Sequence, residues 1–504
     1  DSPSRRDGAA AARTLQNVHV TVLPLERFEE VLDPEQWRLV QEDNAVARTL
    51  FAGCTIWNVN STAVGGGVAE MLQSLLALAR GAGVDARWMV LEGEPDFFVL
   101  TKRLHHLLHG SPGDGGPLGD AEREVYERVT GENAEALAQL VKPGDVILLH
   151  DPQTVGMAAR LRETGAHVVW RSHIGIDAQN DQVRAAWRFL SPYADAAEAF
   201  VFTRHTYVPP ELVDRDIVIV PPSIDVFAQK NQEMGDDQIR AILVAAGIVN
   251  GPATGEPWFV HHDGTRDLVR RRAVVDEDEP LGIDDPLVVQ VSRWDPLKDP
   301  VGVMRGFAEY VVPRVPSARL VLAGPSPEGV TDDPEGAMVL EEVRAARLAL
   351  APEARRRIHI ASLPMADRSE NAAIVNAIQR HSNVIVQKSL AEGFGLTVAE
   401  AMWKRRPVVA SRVGGIQDQI EDGVSGVLLD DPTDLAAYGD AVASLLEDPE
   451  RERQMGAAAQ ERVRSQFLGS RHLDQYLSLF RRAGANLLAL VNDLLDLSKV
   501  EAGQ

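Results

Sequence analysis

The sequence predicts an α/β protein built from two doubly wound, Rossmann-like domains that face each other across a cleft. The chain has 504 residues, which is enough for two large domains that each bury a core. Apolar residues make up 45% and charged residues 25% of the chain, as in globular proteins. Short β-branched runs alternate with longer helical patterns, which is typical of parallel sheets covered by helices.

Short apolar runs in both halves of the chain are the predicted strands. In the first half they are 54–60, 85–91, 145–150, 167–173, 199–203 and 217–222. In the second half they are 286–294, 318–326, 357–364, 383–389, 407–411 and 425–431. Amphipathic stretches between them, such as 68–83 and 154–165, are predicted helices. Because ligands bind beyond the carboxyl ends of parallel strands, the loops at those ends are the candidate sites.

The alternation breaks between residues 223 and 283, where helical patterns precede a charged stretch, "RDLVRRRAVVDEDEP". We interpret this region as helices and a linker, and place the domain boundary near residue 284. The predicted segments are an N-terminal extension (1–45), a first domain (46–283), a second domain (284–465), a helix that packs back (466–482) and an amphipathic helical tail (483–504).

Charge and cysteine usage exclude several classes of function. The net charge of -23 argues against nucleic acid or an anionic membrane as the main partner. The single cysteine, Cys54, cannot form a disulfide within the chain and argues against a cysteine-based metal site. We find no signal-peptide core in the first twenty residues and no apolar run of membrane-spanning length. We therefore expect a cytoplasmic protein.

A glycine run, "VGGGV", follows the first predicted strand and opens the helix 68–83. Glycines there, including Gly66 and Gly67, let backbone N–H groups approach a phosphate or a sugar at a helix N-terminus. A plain strand-to-helix turn that needs positive φ is the alternative interpretation. The run does not match the dinucleotide fingerprint G-x-G-x-x-G.

Two cations lie five residues apart in "VSRWDPLKDP", a loop that follows a strong predicted strand. Arg293, with its planar fork, and Lys298, as a point charge, can together neutralise a diphosphate. Two solvated surface cations are the alternative, and the position at the carboxyl end of a strand favours the binding interpretation.

Two glutamates flank a glycine turn in "SLAEGFGLTVAEAM". Glu392 precedes the turn and can accept hydrogen bonds from sugar hydroxyls, while Glu400 lies about a turn inside the following helix and could grip a second diol. The helix begins at Leu396, so its first N–H groups point at the turn. The alternative is an ordinary capped helix with one exposed glutamate. It does not explain why two glycines and a phenylalanine directly precede the helix.

His173 ends a predicted strand in "WRSHIGID". A lone histidine is more often a structural residue than a catalytic one, but the end of a parallel strand is where ligands bind. This position makes His173 the best candidate among the histidines of the chain.

Together, "VGGGV", "RSHIG", "VSRWDPLKDP" and "EGFGLTVAEAM" resemble the retaining, nucleotide-sugar-dependent glycosyltransferases of family 4, which have the two-domain GT-B fold. More narrowly, "LLHDPQ", "WRSHI" and "IVPPSID" resemble the trehalose glycosyltransferring synthases, which join glucose from a nucleoside diphosphate glucose to free glucose, reversibly. The resemblance covers about residues 40 to 482. It implies that the first domain binds the acceptor and the second binds the donor.

The resemblance also implies roles for individual residues. The implied donor-binding residues are Gly66, Gly67, Arg293, Lys298, Glu392, Gly393, Phe394, Gly395, Leu396, Thr397 and Glu400, with Glu400 at the ribose. Asp151 and His173 are implied to bind the acceptor. The implied catalytic residues are His173, Arg293, Lys298 and Glu392. Glu392 is not assigned as a nucleophile, since in this family the leaving diphosphate is thought to deprotonate the acceptor on the same face.

No cofactor and no tightly bound metal are expected, because arginine and lysine supply the positive charge. The acidic string 276–278 is interpreted as a solvated run. The donor can be ADP-, UDP- or GDP-glucose, and the expected partners are the nucleotide sugar, glucose and, as an open option, a second copy of this chain in a homodimer. Two alternatives stay open: a family 4 enzyme with another acceptor, and a non-catalytic nucleotide-sugar sensor. The sensor would signal through the tail, since residues 485–504 resemble part of a histidine-kinase dimerisation helix.

Overall fold

A computed structural model of the chain describes residues 15–63, 67–252, 255–261, 264–327 and 334–479. These residues form two compact units. The first unit contains the described residues up to Pro221 and those from His472 onward, and the second contains Pro222–Arg471. Gly66 and the tail 483–504 lie outside the described residues, as does the first part of the predicted N-terminal extension.

The first unit is built on a mostly parallel sheet. Its strands are β1 (Gln16–Val18), β2 (Thr55–Asn60), β3 (Asp85–Val90), β4 (Val146–His150), β5 (His167–Ser172), β6 (Ala199–Phe202) and β7 (Ile217–Ile219). They are ordered β1-β3-β2-β4-β5-β6-β7, and β1 alone runs antiparallel, against β3. The order reverses between β2 and β4, which makes the carboxyl ends of these strands a topological switch point where ligands bind.

Helices cover this sheet and bury its aromatic side chains. They are α1 (Pro34–Leu50), α2 (Gly67–Gly81), α3 (Pro95–Leu108), α4 (Asp120–Ala138), α5 (Ala158–Arg162) and α6 (Asp181–Ala194), with 3-10 turns at Leu25–Glu30, Val155–Met157, His205–Tyr207 and Pro210–Leu212. Trp88, Trp170 and Trp187 are among the largest fully buried side chains. Burial of an aromatic side chain of this kind contributes roughly 2–3 kcal/mol.

The second unit repeats the architecture. Its sheet strands are β10 (Val274–Asp276), β11 (Leu287–Val291), β12 (Arg319–Pro325), β13 (Ile358–Leu363), β14 (Val384–Gln387), β15 (Val408–Ser411) and β16 (Val427–Leu429), and a separate antiparallel pair is β8 (Trp258–Val260) with β9 (Arg266–Leu268). The order is β10-β13-β12-β11-β14-β15-β16, so the chain reverses between β11 and β14. The carboxyl ends of β11 and β14 are therefore the switch point of this unit.

The helices of the second unit follow the sheet strands. They are α7 (Asp236–Ala245), α8 (Pro300–Gly306), α9 (Pro334–Leu348), α10 (Pro352–Arg355), α11 (Arg368–His381), α12 (Leu396–Trp403), α13 (Ile416–Gln419), α14 (Leu435–Glu447) and α15 (Pro449–Gln466), with a 3-10 turn at Pro296–Lys298 and a π turn at Phe307–Val311. A last helix, 469–479, carries the chain from the second unit into the first. No helix in the described ranges is long and apolar enough for a membrane span.

All the predicted strands are present, but the division near residue 284 differs from the observed one at 222. Residues 222–283 belong to the second unit because β10 pairs with β13 and because the Asn376 amide donates to the carbonyls of Gln229 and Gln232, at 2.9 and 2.8 Å. The stretch interpreted as a linker is an edge strand. Asp276 and Asp278 are paired with arginines rather than solvated, since each lies 2.9 Å from one, Arg344 and Arg347 respectively.

Candidate active site

In the first unit, the predicted residues Asp151 and His173 are brought together. They follow the last residues of the neighbouring parallel strands β4 and β5. The backbone N–H of His173 donates to Oδ1 of Asp151 at 2.8 Å. Asp151 has a φ of 62°, in the left-handed region. A non-glycine residue pays roughly 1–2 kcal/mol there, and such strain concentrates at functional sites.

Burial sets the protonation of this pair. It raises the pKa of the Asp151 carboxyl to about 7, although the His173 N–H and Arg171 act in the opposite direction. Burial also lowers the pKa of His173 well below its usual value, and the nearby Arg171 guanidinium lowers it further. His173 is therefore neutral at pH 7. Perturbed pKa values at a switch point are typical of functional sites.

Two residues that the sequence did not single out complete this group. Nδ1 of His150 lies 2.9 Å from Nε2 of His173, and Nε2 of His150 lies 3.0 Å from Oδ1 of Asn58. Both are buried, in β4 and β2. The available signal was a polar residue inside an otherwise apolar strand, as in "TIWNVN" and "VILLH".

The C-terminal helix 469–479 also contributes to the first unit. The buried Arg171 guanidinium lies 2.8 Å from Nε2 of His472 and contacts the Tyr476 hydroxyl. The His472 and Tyr476 rings stack, with centroids 5.2 Å apart. Arg171 lies two residues before His173, so this helix fixes the strand that presents the histidine. Gly67, another predicted residue, is exposed at the first position of α2.

In the second unit, Lys298 and Glu392 are brought together at the ends of β11 and β14. The Lys298 ammonium contacts Oε2 of Glu392, and both side chains are 15% exposed. The N–H of Leu390 donates to the carbonyl of Leu297 at 2.8 Å, which joins the two loops. Arg293 lies in the same loop but is different: its side chain is 69% exposed and pairs with Asp295 at 3.1 Å. The alternative of a solvated surface cation thus describes Arg293 but not Lys298.

The glycine turn leads directly into α12. Gly395 has a φ of 78° and precedes the helix without a side-chain cap. Among the described residues, no group accepts a hydrogen bond from the N–H of Leu396 or Thr397. Gly414 faces the turn, and a Cβ there would lie 1.8 Å from the Glu392 carbonyl oxygen. The helix N-terminus thus presents N–H donors and a partial positive charge.

Two further predicted residues, Phe394 and Glu400, have buried side chains. The Phe394 side chain is buried and packs against Phe467, with ring centroids 6.0 Å apart. It anchors the turn, while the backbone of Gly393 reaches Gly415, whose N–H donates to the Gly393 carbonyl at 2.7 Å. The alternative of an exposed glutamate does not hold for Glu400, which is 5% exposed.

Glu400 belongs to a buried polar cluster. Its carboxylate lies 2.8 Å from the ammonium of Lys230, a residue that the sequence did not single out. The Lys404 ammonium donates to the Glu400 carbonyl and to Oδ1 of Asn231, each at 3.0 Å. Burial lowers the pKa of Lys404 to about 7. The contact with Lys230 fixes the orientation of the Glu400 carboxylate.

Comparisons with known proteins match both halves of the chain. Residues 58–209 match the family described as "Trehalose synthase, N-terminal domain", and residues 275–462 match "Glycosyl transferases group 1". The trehalose synthase of Pyrococcus horikoshii is 33% identical over 460 residues, which cover 91% of this chain and 96% of that one. The trehalose synthase of Rubrobacter xylanophilus is 35% identical over 437 residues, which cover 85% and 91%.

Solved structures show the same fold. A UDP-forming α,α-trehalose-phosphate synthase from Burkholderia vietnamiensis is similar with a TM-score of 0.62 at 18% identity, covering 86% of this chain and 99% of that one. A sucrose-phosphate synthase from Thermosynechococcus elongatus has a TM-score of 0.57 at 18% identity, covering 86% and 100%. At these identities the likeness concerns the fold alone, and it confirms the predicted GT-B class.

Proposed function

The chain belongs to the trehalose synthase family and is a glycosyltransferase of trehalose metabolism, and we propose that it transfers glucose from a nucleoside diphosphate glucose to free glucose. The product is α,α-trehalose, formed reversibly and with retention of the anomeric configuration. The observation that carries this proposal is the pairing of Lys298 with Glu392 beside the uncapped N-terminus of α12.

We assign the donor to the second unit. Breaking the anomeric C–O bond leaves positive charge on the sugar and negative charge on the diphosphate. Lys298, Arg293 and the N–H groups at the start of α12 are assigned to the diphosphate, where preorganised positive charge lowers the barrier. Since these groups supply the charge, we assign no resident metal and no cofactor.

The two glutamates take different parts in this assignment. Glu392 accepts hydrogen bonds from glucose hydroxyls, and its contact with Lys298 orients it. Glu400, held by Lys230, is assigned to the ribose diol. Neither is assigned as a nucleophile. A retaining hydrolase uses a pair of carboxylates about 5 Å apart, whereas Glu392 is matched with a lysine.

We assign the acceptor to the first unit. His173 is neutral and the pKa of Asp151 is raised to about 7, so this pair offers hydrogen bonds. The nearby positive charge, the Arg171 guanidinium, is fully buried and contacts His472 and Tyr476. Free glucose is uncharged and suits such a site better than a sugar phosphate does. A different acceptor is the second candidate, since a D-inositol 3-phosphate glycosyltransferase of Mycobacterium avium is 31% identical over 204 residues, 40% of this chain.

The test is to incubate the protein with ADP-, UDP- or GDP-glucose and free glucose. Nucleotide release is followed, and the disaccharide is identified by chromatography before and after trehalase digestion. Trehalase-sensitive product from one donor supports the proposal and identifies that donor. Nucleotide release without trehalose would move the acceptor to another molecule. Donor binding without release would support the nucleotide-sugar sensor instead.

A further inference from the structure

We propose that Asn58 and His150 form a positioning relay that fixes the ring tautomer of His173. The relay leaves Nδ1 of His173 unprotonated, as the hydrogen-bond acceptor for a sugar hydroxyl. This inference rests on the proposed function, because it specifies how one residue of that site acts. Asn58 and His150 are positioning residues, since they reach the sugar only through His173.

The relay is a continuous hydrogen-bonded line across three neighbouring strands, β2, β4 and β5. Oδ1 of Asn58 lies 3.0 Å from Nε2 of His150, and Nδ1 of His150 lies 2.9 Å from Nε2 of His173. The two imidazole rings are nearly parallel, with an interplanar angle of 14° and centroids 5.2 Å apart. Asn58 is 2% and His150 1% exposed, so water does not compete for the inner contacts.

The direction of the line follows from the chemistry of its first member. An amide oxygen can only accept a hydrogen bond, so Nε2 of His150 carries a proton. A neutral imidazole has one N–H, so Nδ1 of His150 is an acceptor and Nε2 of His173 must donate to it. Nδ1 of His173 is then left with its lone pair.

Both imidazole rings are neutral, because their surroundings disfavour the charged form. Burial lowers the pKa of His150 to about 3, and the Arg171 guanidinium beside it acts in the same direction. Burial, Arg171, His150 and His472 all lower the pKa of His173. Asp151 is the one acidic side chain that contacts His173 among the described residues, and it accepts from the backbone N–H rather than from the ring.

The outer end of the line is open. No described residue forms a hydrogen bond with Nδ1 of His173, and the residue is only partly buried. The ring is fixed through Nε2, and the backbone is fixed through Asp151. A ligand that reaches this ring therefore meets a lone pair, and a sugar hydroxyl that donates a proton satisfies it.

Asn60, in the same strand, is an asparagine with a purely structural role. It is 4% exposed, and both ends of its amide are used. Its Oδ1 accepts from Nε1 of Trp88 at 2.8 Å, and its Nδ2 donates to the Thr62 carbonyl at 2.7 Å. The line that starts at Asn58 differs because it ends on Nδ1 of His173, with which no described residue forms a hydrogen bond.

The experiment reads the His173 tautomer from ¹⁵N chemical shifts of histidine-labelled protein, with His173→Gln used to assign the signals. In the wild-type protein we expect Nε2 protonated and Nδ1 unprotonated. Asn58→Leu should mix or reverse the two tautomers and lower kcat by about 10- to 100-fold, as for outer-shell partners that orient a functional histidine. The matched control Asn60→Leu should keep the wild-type tautomer, whatever it costs in stability.

A second pair of variants keeps the test decisive if Asn58→Leu does not fold. His150→Asn keeps an oxygen that can accept from Nε2 of His173 and should retain the wild-type tautomer and much of the activity. His150→Leu removes that acceptor and should lose both. A wild-type His173 protonated at Nδ1, or a tautomer unaffected by Asn58→Leu and His150→Leu, would overturn the relay.

Failure of the proposed function would look different. A wild-type protein that forms no trehalose from any donor, yet shows the expected tautomers, supports the relay and refutes the reaction. Trehalose formation that is unchanged by Asn58→Leu, despite an altered tautomer, would overturn the use of Nδ1 by the sugar.

Discussion

The two switch points of this molecule hold their polar groups in opposite ways. Beside the switch point of the first unit, at the ends of β4 and β5, the histidines are kept neutral by burial and joined by directional hydrogen bonds. At the ends of β11 and β14 in the second unit, Lys298 and Glu392 are in direct contact and stay partly exposed. The first group is oriented by hydrogen-bond direction beside the buried Arg171, whereas the second consists of an ion pair.

The difference shows how the same architecture can bind the two substrates of the proposed reaction. A departing diphosphate needs positive charge that is in place before the bond breaks. In the proposed reaction, an uncharged sugar acceptor needs hydrogen-bond donors and acceptors in fixed directions, and a buried charge without partners there would cost several kcal/mol. Both arrangements occupy the carboxyl ends of parallel strands, and the local burial decides which one is stable.

The largest expected effect comes from breaking the charged site. Lys298→Ala should lower kcat by about 10²- to 10³-fold, since one preorganised donor at developing charge has this value in other enzymes. Arg293→Ala should cost less, because its side chain is largely exposed and pairs within its own loop. Nucleotide release under saturating donor measures both. Arg305→Ala removes an exposed arginine from the same unit and should remain near the wild-type rate; equal rates for Lys298→Ala and Arg305→Ala would refute the assignment.

A smaller effect is expected from the backbone that shapes the charged site. Gly414→Ala places a Cβ 1.8 Å from the Glu392 carbonyl, so the turn must move. We expect a loss of about 1–3 kcal/mol in the free energy of unfolding, as for overpacked sites, together with weaker donor binding by calorimetry. Gly423→Ala is the matched control: its φ is 75°, but no atom lies within 4 Å. It should cost about 1–2 kcal/mol from the left-handed conformation alone and leave donor binding unchanged.

The smallest expected effect concerns the neutral site and its response to pH. His150 has its pKa lowered to about 3 in the folded chain, so below about pH 6.5 the unfolded chain binds a proton that the folded chain does not. Stability should therefore fall as pH drops from about 6.5, by roughly 1.4 kcal/mol per pH unit for this residue.

Urea unfolding of the wild-type protein and of His150→Asn, compared between pH 7.5 and 5.5, isolates this contribution. The Asp151 carboxyl has its pKa raised to about 7, so its contribution is lost as pH rises, in the opposite direction. The Asp151 contribution is present in both proteins and therefore cancels when their pH dependences are subtracted. A pH dependence that is the same in both would mean that His150 is protonated in the folded chain.

Local pattern was sufficient for most of the fold. Every predicted strand is present because each is a short, mainly apolar run, the pattern of a strand that is largely buried in a parallel sheet. The strands that were not predicted are short edge strands, β1 and β10, and the β8–β9 pair. Val274–Asp276 carries a charged residue that is neutralised by Arg344, from a helix about 68 residues away in sequence. No local pattern distinguishes such an edge strand from a linker.

The candidate site likewise contains residues that the sequence predicts and partners that it does not. The glycines, the two cations and the two glutamates are recognisable from residue type and spacing around a strand end. The partners of those residues are not, since Lys298 and Glu392 are 94 residues apart, and Asn58 and His150 are 92 apart. Lys230 could not be linked to Glu400 without knowing that residues 222–283 pack in the second unit.

The sequence by itself determined the α/β class, the positions of the parallel strands and the chemistry available at their carboxyl ends, because these depend on apolar period, glycine content and residue type within a few positions. The tertiary structure alone decided which strands are neighbours. It therefore decided that His173 meets His150 and Asn58, and that Arg293 stays in solvent while Lys298 does not. Burial and hydrogen-bond direction are properties of a residue's spatial neighbours, and those come from distant parts of the chain.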